Sequence, residues 1–219
     1  MADITVKVLE PAESYDLATL NELKVMLGID PANTTDDAML QLWISQYSDV
    51  IATMCNRVFA YEKVQETWRG DLPPFDTQNG RIFLTHYPVK DEDILTVTSP
   101  SDALIDPDSY ELENRSGKLQ FFGGPWSEPI RVIYSGGYHL PDEAPPALKQ
   151  ALAVMVGAAR TQVAQQLTSG IRSISHRESR VQFFDVTAAA AKSGAGSGAL
   201  GVAGNTVEQL LYHYMRFYV

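Results

Sequence analysis

The side chains able to do chemistry come first. Gly196, Gly198 and Gly201 match the spacing G-x-G-x-x-G. A dinucleotide loop of that pattern needs a strand before it, a helix opening on it, and an acid about twenty residues later for the ribose. No β-rich run abuts these glycines, so they read as linker. The run Ser173 to Arg180, SISHRESR, gathers serine, histidine and glutamate closely. A hydrolytic triad is set by geometry and draws on distant segments, and this run lacks a nucleophile elbow. His86, His139, His176 and His213 share no metal-ligand spacing, and each is expected on the surface or in a turn. Asp91-Glu92-Asp93 lacks the glycine and distal glutamate of a calcium loop. Cys55 falls within an apolar helical stripe and reads as a small core residue. Arg172, Arg177 and Arg180 form a basic cluster, suited to an acidic partner or to DNA. No catalytic residue, no cofactor site and no metal site is expected, and the chain reads as a non-enzyme.

The composition frames these readings. The 219 residues are 45% hydrophobic and 20% charged, a globular balance. A single cysteine excludes a disulfide framework and a zinc site built on several thiolates. No apolar run approaches a membrane span, and the acidic start MADITVKVLEPAE lacks an apolar signal core. A soluble protein of a reducing cytoplasm is expected, with no membrane partner. The formal charge is −10. Residues 1–150 hold 24 acidic and 11 basic groups, whereas residues 151–219 hold 3 and 6. The acidic bulk opposes sequence-independent DNA binding, which needs cations against phosphates. The basic C-terminal third can meet an acidic partner.

The elements that would position these residues follow from periodicity. Leu17–Ile29 reads as a short helix with Leu20, Leu23 and Leu27 in one stripe. Its start is a Thr19/Glu22 capping box or an Asp16 cap, and Gly28 ends it. Asp36–Phe59 reads as a second helix. Leu40, Trp43, Tyr47, Ile51, Met54 and Val58 trace one face, which Met39, Leu42, Val50 and Cys55 widen. So broad a stripe implies burial on more than one side, against its own chain or a neighbour. From Tyr61 to Tyr134 β-rich runs alternate with turn signals. The expected strands are Glu62–Trp68, Arg81–Leu84, Ile94–Thr98, Tyr110–Glu113, Lys118–Phe121 and Pro129–Tyr134, with a Gly117 hairpin turn. Pro145 and Pro146 start a helix reaching about Leu167, with Leu148, Leu152, Met155, Ala159 and Val163 on one face. Ile171–Ser175 and Arg180–Phe184 read as a short basic hairpin.

Thr187–Gly204 is Ala/Gly/Ser-rich and reads as a flexible linker. The closing segment NTVEQLLYHYMRFYV reads as an amphipathic helix with Val207, Leu210, Leu211, Tyr214 and Phe217 on a greasy face. A long spacer before such a helix suggests docking on another subunit or partner. The fold class expected is α+β. A small helical bundle (residues 1–60 and 137–168) carries an inserted antiparallel β segment (61–136). A basic hairpin (169–186), the linker (187–204) and a docking helix (205–219) follow as an extended C-terminal arm.

The order of motifs is familiar. A helix with Leu23-Lys24 and Leu27-Gly28-Ile29 precedes an acid-started helix ending Asn56-Arg57-Val58-Phe59. Tyr87-Pro88-Val89 follows, then a strand ending Val132-Ile133-Tyr134-Ser135-Gly136-Gly137-Tyr138, then Pro146-Ala147-Leu148-Lys149-Gln150-Ala151. Over roughly residues 17–168 this order resembles the head–tail connector (adaptor) proteins of tailed bacteriophages and prophages. The resemblance implies a structural part of the virion neck, assembled in the host cytoplasm. Such a part forms a ring, usually dodecameric, under the portal protein of a DNA-filled head. Its C-terminal arms grip the portal, its other face receives the stopper or tail-completion protein, and DNA passes through the lumen. Carried onto this chain, the greasy face Val207, Leu210, Leu211, Tyr214 and Phe217 is the expected portal anchor. The alternatives are another ring-forming neck or tail-completion protein, a packaging factor binding DNA through the arginines, or an enzyme using the Ser/His/Glu run.

Overall fold

The computed structural model describes residues 3–69, 80–100, 102–168, 173–176, 179–182 and 199–216. It is a mixed α+β fold with antiparallel sheets. The chain divides into two compact units. One comprises Met1–Asp16, Ala52–Ala144 and Met215–Val219, the other Leu17–Ile51 and Pro145–Tyr214.

The first unit is built from two antiparallel sheets. Strands β1 (Asp3–Glu10), β2 (Glu62–Arg69), β7 (Ile130–Gly136) and β4 (Ile94–Thr98) form a four-stranded sheet in the order β1-β2-β7-β4. Strands β3 (Arg81–Phe83), β6 (Lys118–Phe121) and β5 (Tyr110–Glu113) form a second sheet in that order. Strict alternation on β7 buries Ile130, Val132, Tyr134 and Gly136. Ile130, Val132 and Tyr134 join Val64 and Trp68 of β2, Ile82 of β3, Leu112 of β5 and Leu119 of β6 in one apolar core. All six strands expected between residues 62 and 134 are present. Strand β1 is an addition. The first sixteen residues belong to the sheet unit and not to a helical core, because Asp3–Val8 zips onto Val64–Arg69.

In the second unit, α1 (Leu20–Met26) starts at the Thr19/Glu22 capping box. Gly28 follows it with φ +68°. Helix α2 (Asp37–Cys55) stops four residues before the expected Phe59. Asn56 adopts φ +52°, while Arg57 N–H bonds the Ala52 carbonyl and Asn56 N–H that of Thr53. That pair of bonds closes the helix by a Schellman turn. The buried face of α2 is Leu40, Ile44, Ser48, Ile51 and Cys55. It is narrower than the expected stripe, and Leu42, Val50 and Met54 stand exposed at 57%, 39% and 38%.

Helix α3 (Pro146–Thr168) buries Leu148, Ala151, Leu152 and Val156. Val163, expected on that face, is exposed. Lys24, almost fully buried, pairs with Asp37 at 2.5 Å and donates to the Pro31 carbonyl at 3.1 Å. It thereby fixes the turn from α1 to α2. Strands β8 (Ser173–His176) and β9 (Ser179–Gln182) form the expected hairpin.

Helix α4 (Ala199–Leu211) begins six residues before the expected start, inside the segment read as linker. It packs along α3 and continues into a 3₁₀ turn, Tyr212–Tyr214. Residues 187–198 lie outside the described ones. Beyond the turn, the chain returns to the sheet unit. Arg216 N–H bonds the Cys55 carbonyl at 2.9 Å, and its guanidinium reaches the Phe83 carbonyl at 3.2 Å.

Candidate functional site

Within each unit, motifs that carry the resemblance come together. In the sheet unit, Arg57 is buried, with its guanidinium 3.4 Å above the Tyr87 ring and 4.7 Å from that of Phe59. It also donates to the Tyr87 carbonyl. Gly137 N–H bonds Pro88 O at 2.9 Å and Tyr138 N–H bonds Phe59 O at 2.8 Å. A Cβ on Gly136 would sit 2.5 Å from the His86 carbonyl, and one on Gly137, at φ +114°, 2.3 Å from that of Ala60. Only glycine permits either approach. The Asn-Arg-Val-Phe, Tyr-Pro-Val and Gly-Gly-Tyr pieces are therefore three sides of one joint. In the helical unit, Lys149 of α3 pairs with Glu22 of α1 at 2.5 Å. There the first and last motifs meet too.

Beside that joint lies a buried charged cluster. Alternation along β2 turns Glu62, Val64, Glu66 and Trp68 toward the core. His86, from the loop after β3, stands between the two carboxylates. Its Nε2 is 3.1 Å from Glu62 Oε2 and its Nδ1 is 4.0 Å from Glu66 Oε1. All three side chains are at most 4% exposed. Thr85 hydroxyl donates to Glu66 Oε1 and lies 2.8 Å from His86 Nδ1, leaving that nitrogen to donate. Tyr134 hydroxyl donates to Glu66, and Tyr15 hydroxyl and Ala12 N–H both donate to Glu62.

The electrostatics follow from these contacts. Burial opposes a charged His86, but its bonds to Glu62 and Glu66 outweigh that and raise its pKa. The His86 bond holds Glu62 low. Burial opposes an ionised Glu66, yet the bonds from His86, Thr85 and Tyr134 keep it below the usual carboxylate range. Burial, with the Glu66 charge, pushes Tyr134 well up. An imidazolium between two carboxylates, closed off from solvent, is an arrangement for holding strands together and has no room for a substrate. The two nitrogens face opposite carboxylates, so the trio offers no common point for a cation. Among the described residues no group of three His, Cys, Asp or Glu side chains is placed to hold a metal.

His86 sits in a turn, one of the two positions expected for it, but it is buried and not on the surface. His139 stacks on Tyr61 with centroids 4.2 Å apart. Asp93 accepts the Tyr61 hydroxyl at 2.9 Å. Cys55 is fully buried, and burial pushes its thiol up to about 11. Gly201 lies inside α4, a helix and not a phosphate loop, while Gly196 and Gly198 fall outside the described residues. Arg180 stands on β9, whereas Arg172 and Arg177 fall outside the described residues.

Of the expected portal anchors, Val207 and Leu211 are 2% and 0% exposed, buried within the chain. Leu210 and Tyr214 are half-buried, and Phe217 falls outside the described residues. The greasy helix expected to dock elsewhere packs along α3, and two of its five apolar positions, Val207 and Leu211, are buried there. The Glu62–Glu66–His86 cluster went unrecognised in the sequence. Its one signal is the pair of glutamates alternating with Val64 and Trp68 on an inward strand face.

Comparison with known proteins gives a likeness of fold. No family model and no curated protein matches the sequence. Among solved structures, a chain from the neck of an empty gene transfer agent particle, computed with C6 symmetry, aligns with TM-score 0.55 and 10% identity. The alignment covers 98% of this chain and 97% of that one. A chain from the virion of a native gene transfer agent particle gives 0.52 and 10% over the same shares. A chain from the native neck computed with C12 symmetry gives 0.52 and 11%, again over 98% and 97%.

Proposed function

We propose that this chain is a structural component of the neck of a tailed phage or phage-derived particle. It is an adaptor that forms a ring beneath the portal, joins the DNA-filled head to the stopper or tail, and lines the DNA channel. The observation that carries this reading is a fold shared end to end with chains of gene transfer agent necks, whose particles are symmetric assemblies. The chemistry of the chain supports it. The charged cluster is sealed from solvent and serves the fold. The exposed apolar residues Leu42 and Val50 of α2 give each copy a surface to bury against a neighbour. The net charge of −10 suits a wall along which DNA slides, since it offers few phosphate contacts.

Portal grip, in this reading, falls to the part of the last helix not spent on its own core. Leu210 and Tyr214 are half-buried and precede Phe217. The test is co-sedimentation with the portal protein of the same particle. Leu210→Ala with Tyr214→Ala is expected to weaken capture while the circular dichroism spectrum stays unchanged. Undiminished capture by that variant moves the portal contact elsewhere. Absence of capture by the unaltered chain contradicts the adaptor role.

A further inference from the structure

We propose that the β8–β9 hairpin of one copy adds to the free edge of β1 in the next copy, continuing its sheet across the ring contact. This rests on the ring reading above. Among the described residues, strand β1 pairs on one side only. Residues Thr5–Glu10 are all exposed, with Val6, Val8 and Leu9 at 39%, 46% and 39%. Its register is regular from Asp3 to Val8, and the shift comes only between Val8 and Glu10. Such an edge, with three exposed apolar residues beside one lysine, is open to another strand where nothing covers it.

The opposite edge of the same sheet is guarded. Beyond β4, Leu104 bridges Thr98, Ile105 N–H bonds Val97 O at 2.9 Å, and Ser99 N–H bonds Ala103 O at 2.9 Å. Strand β1 has no such cover among the described residues.

The hairpin has the complementary need. Among the described residues β8 and β9 pair only with each other. A two-stranded hairpin is marginal alone in water and is stabilised by further strands. Each of its strands has 4 residues, short enough to lie within the 8 of β1. Charge favours the match. Strand β1 carries Asp3 and Glu10 against Lys7. Strands β8 and β9 carry Arg180 and no acid. Two different surfaces of one chain make a heterologous contact, the kind that closes a ring of many copies.

The test mixes two single variants of the full chain, Thr5→Cys and Ser175→Cys, under ring-forming conditions with a short bis-maleimide. Ring formation is followed by sedimentation. Native Cys55 is fully buried, so the unaltered chain sets the background. The proposal expects a covalent dimer in the mixture and none from either variant alone. It also expects loss of rapid hydrogen exchange at those Thr5–Val8 amides that face away from β2, on assembly of the unaltered chain. Dimer from Thr5→Cys alone means β1 pairs with β1 and overturns the proposal. Rings without cross-link or amide protection overturn it and leave the ring reading standing. A chain that forms no ring, alone or with portal, overturns both.

Discussion

Replacing His86 by alanine removes the one cation between two buried carboxylates. Glu62 and Glu66 are 3% and 0% exposed, with imidazole nitrogens at 3.1 Å and 4.0 Å. Deleting one partner of a buried pair leaves an uncompensated charge and costs about 3–5 kcal/mol. The folded pKa of His86 is raised from 6.5, so its contribution is complete below 6.5 and fades as pH rises through the higher folded value. Those of Glu62 and Glu66 are lowered from 4.5, so theirs is complete above 4.5 and fades as pH falls through the lower folded values. Their joint optimum therefore spans 4.5 to 6.5. The assay is urea unfolding followed by tryptophan fluorescence, Trp68 and Trp126 being core residues of the sheet unit. A Trp43→Phe background removes the third tryptophan, which lies on α2. The gap between His86 and His86→Ala proteins is expected to be largest between pH 4.5 and 6.5 and to narrow as pH rises through the higher folded value and the imidazole neutralises. A gap below about 1 kcal/mol, flat with pH, would refute the charged-cluster reasoning.

Three further outcomes follow from the packing. Gly137→Ala puts a Cβ 2.3 Å from the Ala60 carbonyl at φ +114° and should lower stability by more than about 2 kcal/mol in the same assay. Removing residues 205–219 takes Val207 and Leu211 out of the helical core, at about 1.5–3 kcal/mol for each side chain. Reduced α-helical thermal stability is therefore expected, and an unchanged melting curve would show that α4 does not seat on α3. Cys55 should resist thiol reagents in the folded chain and react fully in urea, since burial both covers it and pushes its thiol up to about 11. Fast labelling under native conditions would contradict that burial.

Much of the architecture was legible in local pattern. The six middle strands show alternation between turn signals, and the Thr19/Glu22 box marks the start of α1. Strand β1 carries the same alternation in Ile4, Val6 and Val8, and Pro11 ends it, but it hides among the acidic neighbours Asp3, Glu10 and Glu13. Helix α2 ends early because Asn56 takes a left-handed turn, and the apolar Val58 and Phe59 continue a stripe the backbone has left. The charged cluster could not be read along the chain, since Glu62 and Glu66 meet His86 only when the strands pack. The last helix misled for a related reason. A greasy face after a spacer looks the same whether it docks on a stranger or, as Val207 and Leu211 do, on its own unit.

Particle mass in solution is the most direct measurement, taken for the chain alone and then mixed with its portal. A closed ring, on its own or on the portal, with a fixed number of copies matching the symmetry of the particle is the expected result. A chain that stays a single copy in both conditions, at concentrations where portal rings are intact, would contradict the neck role.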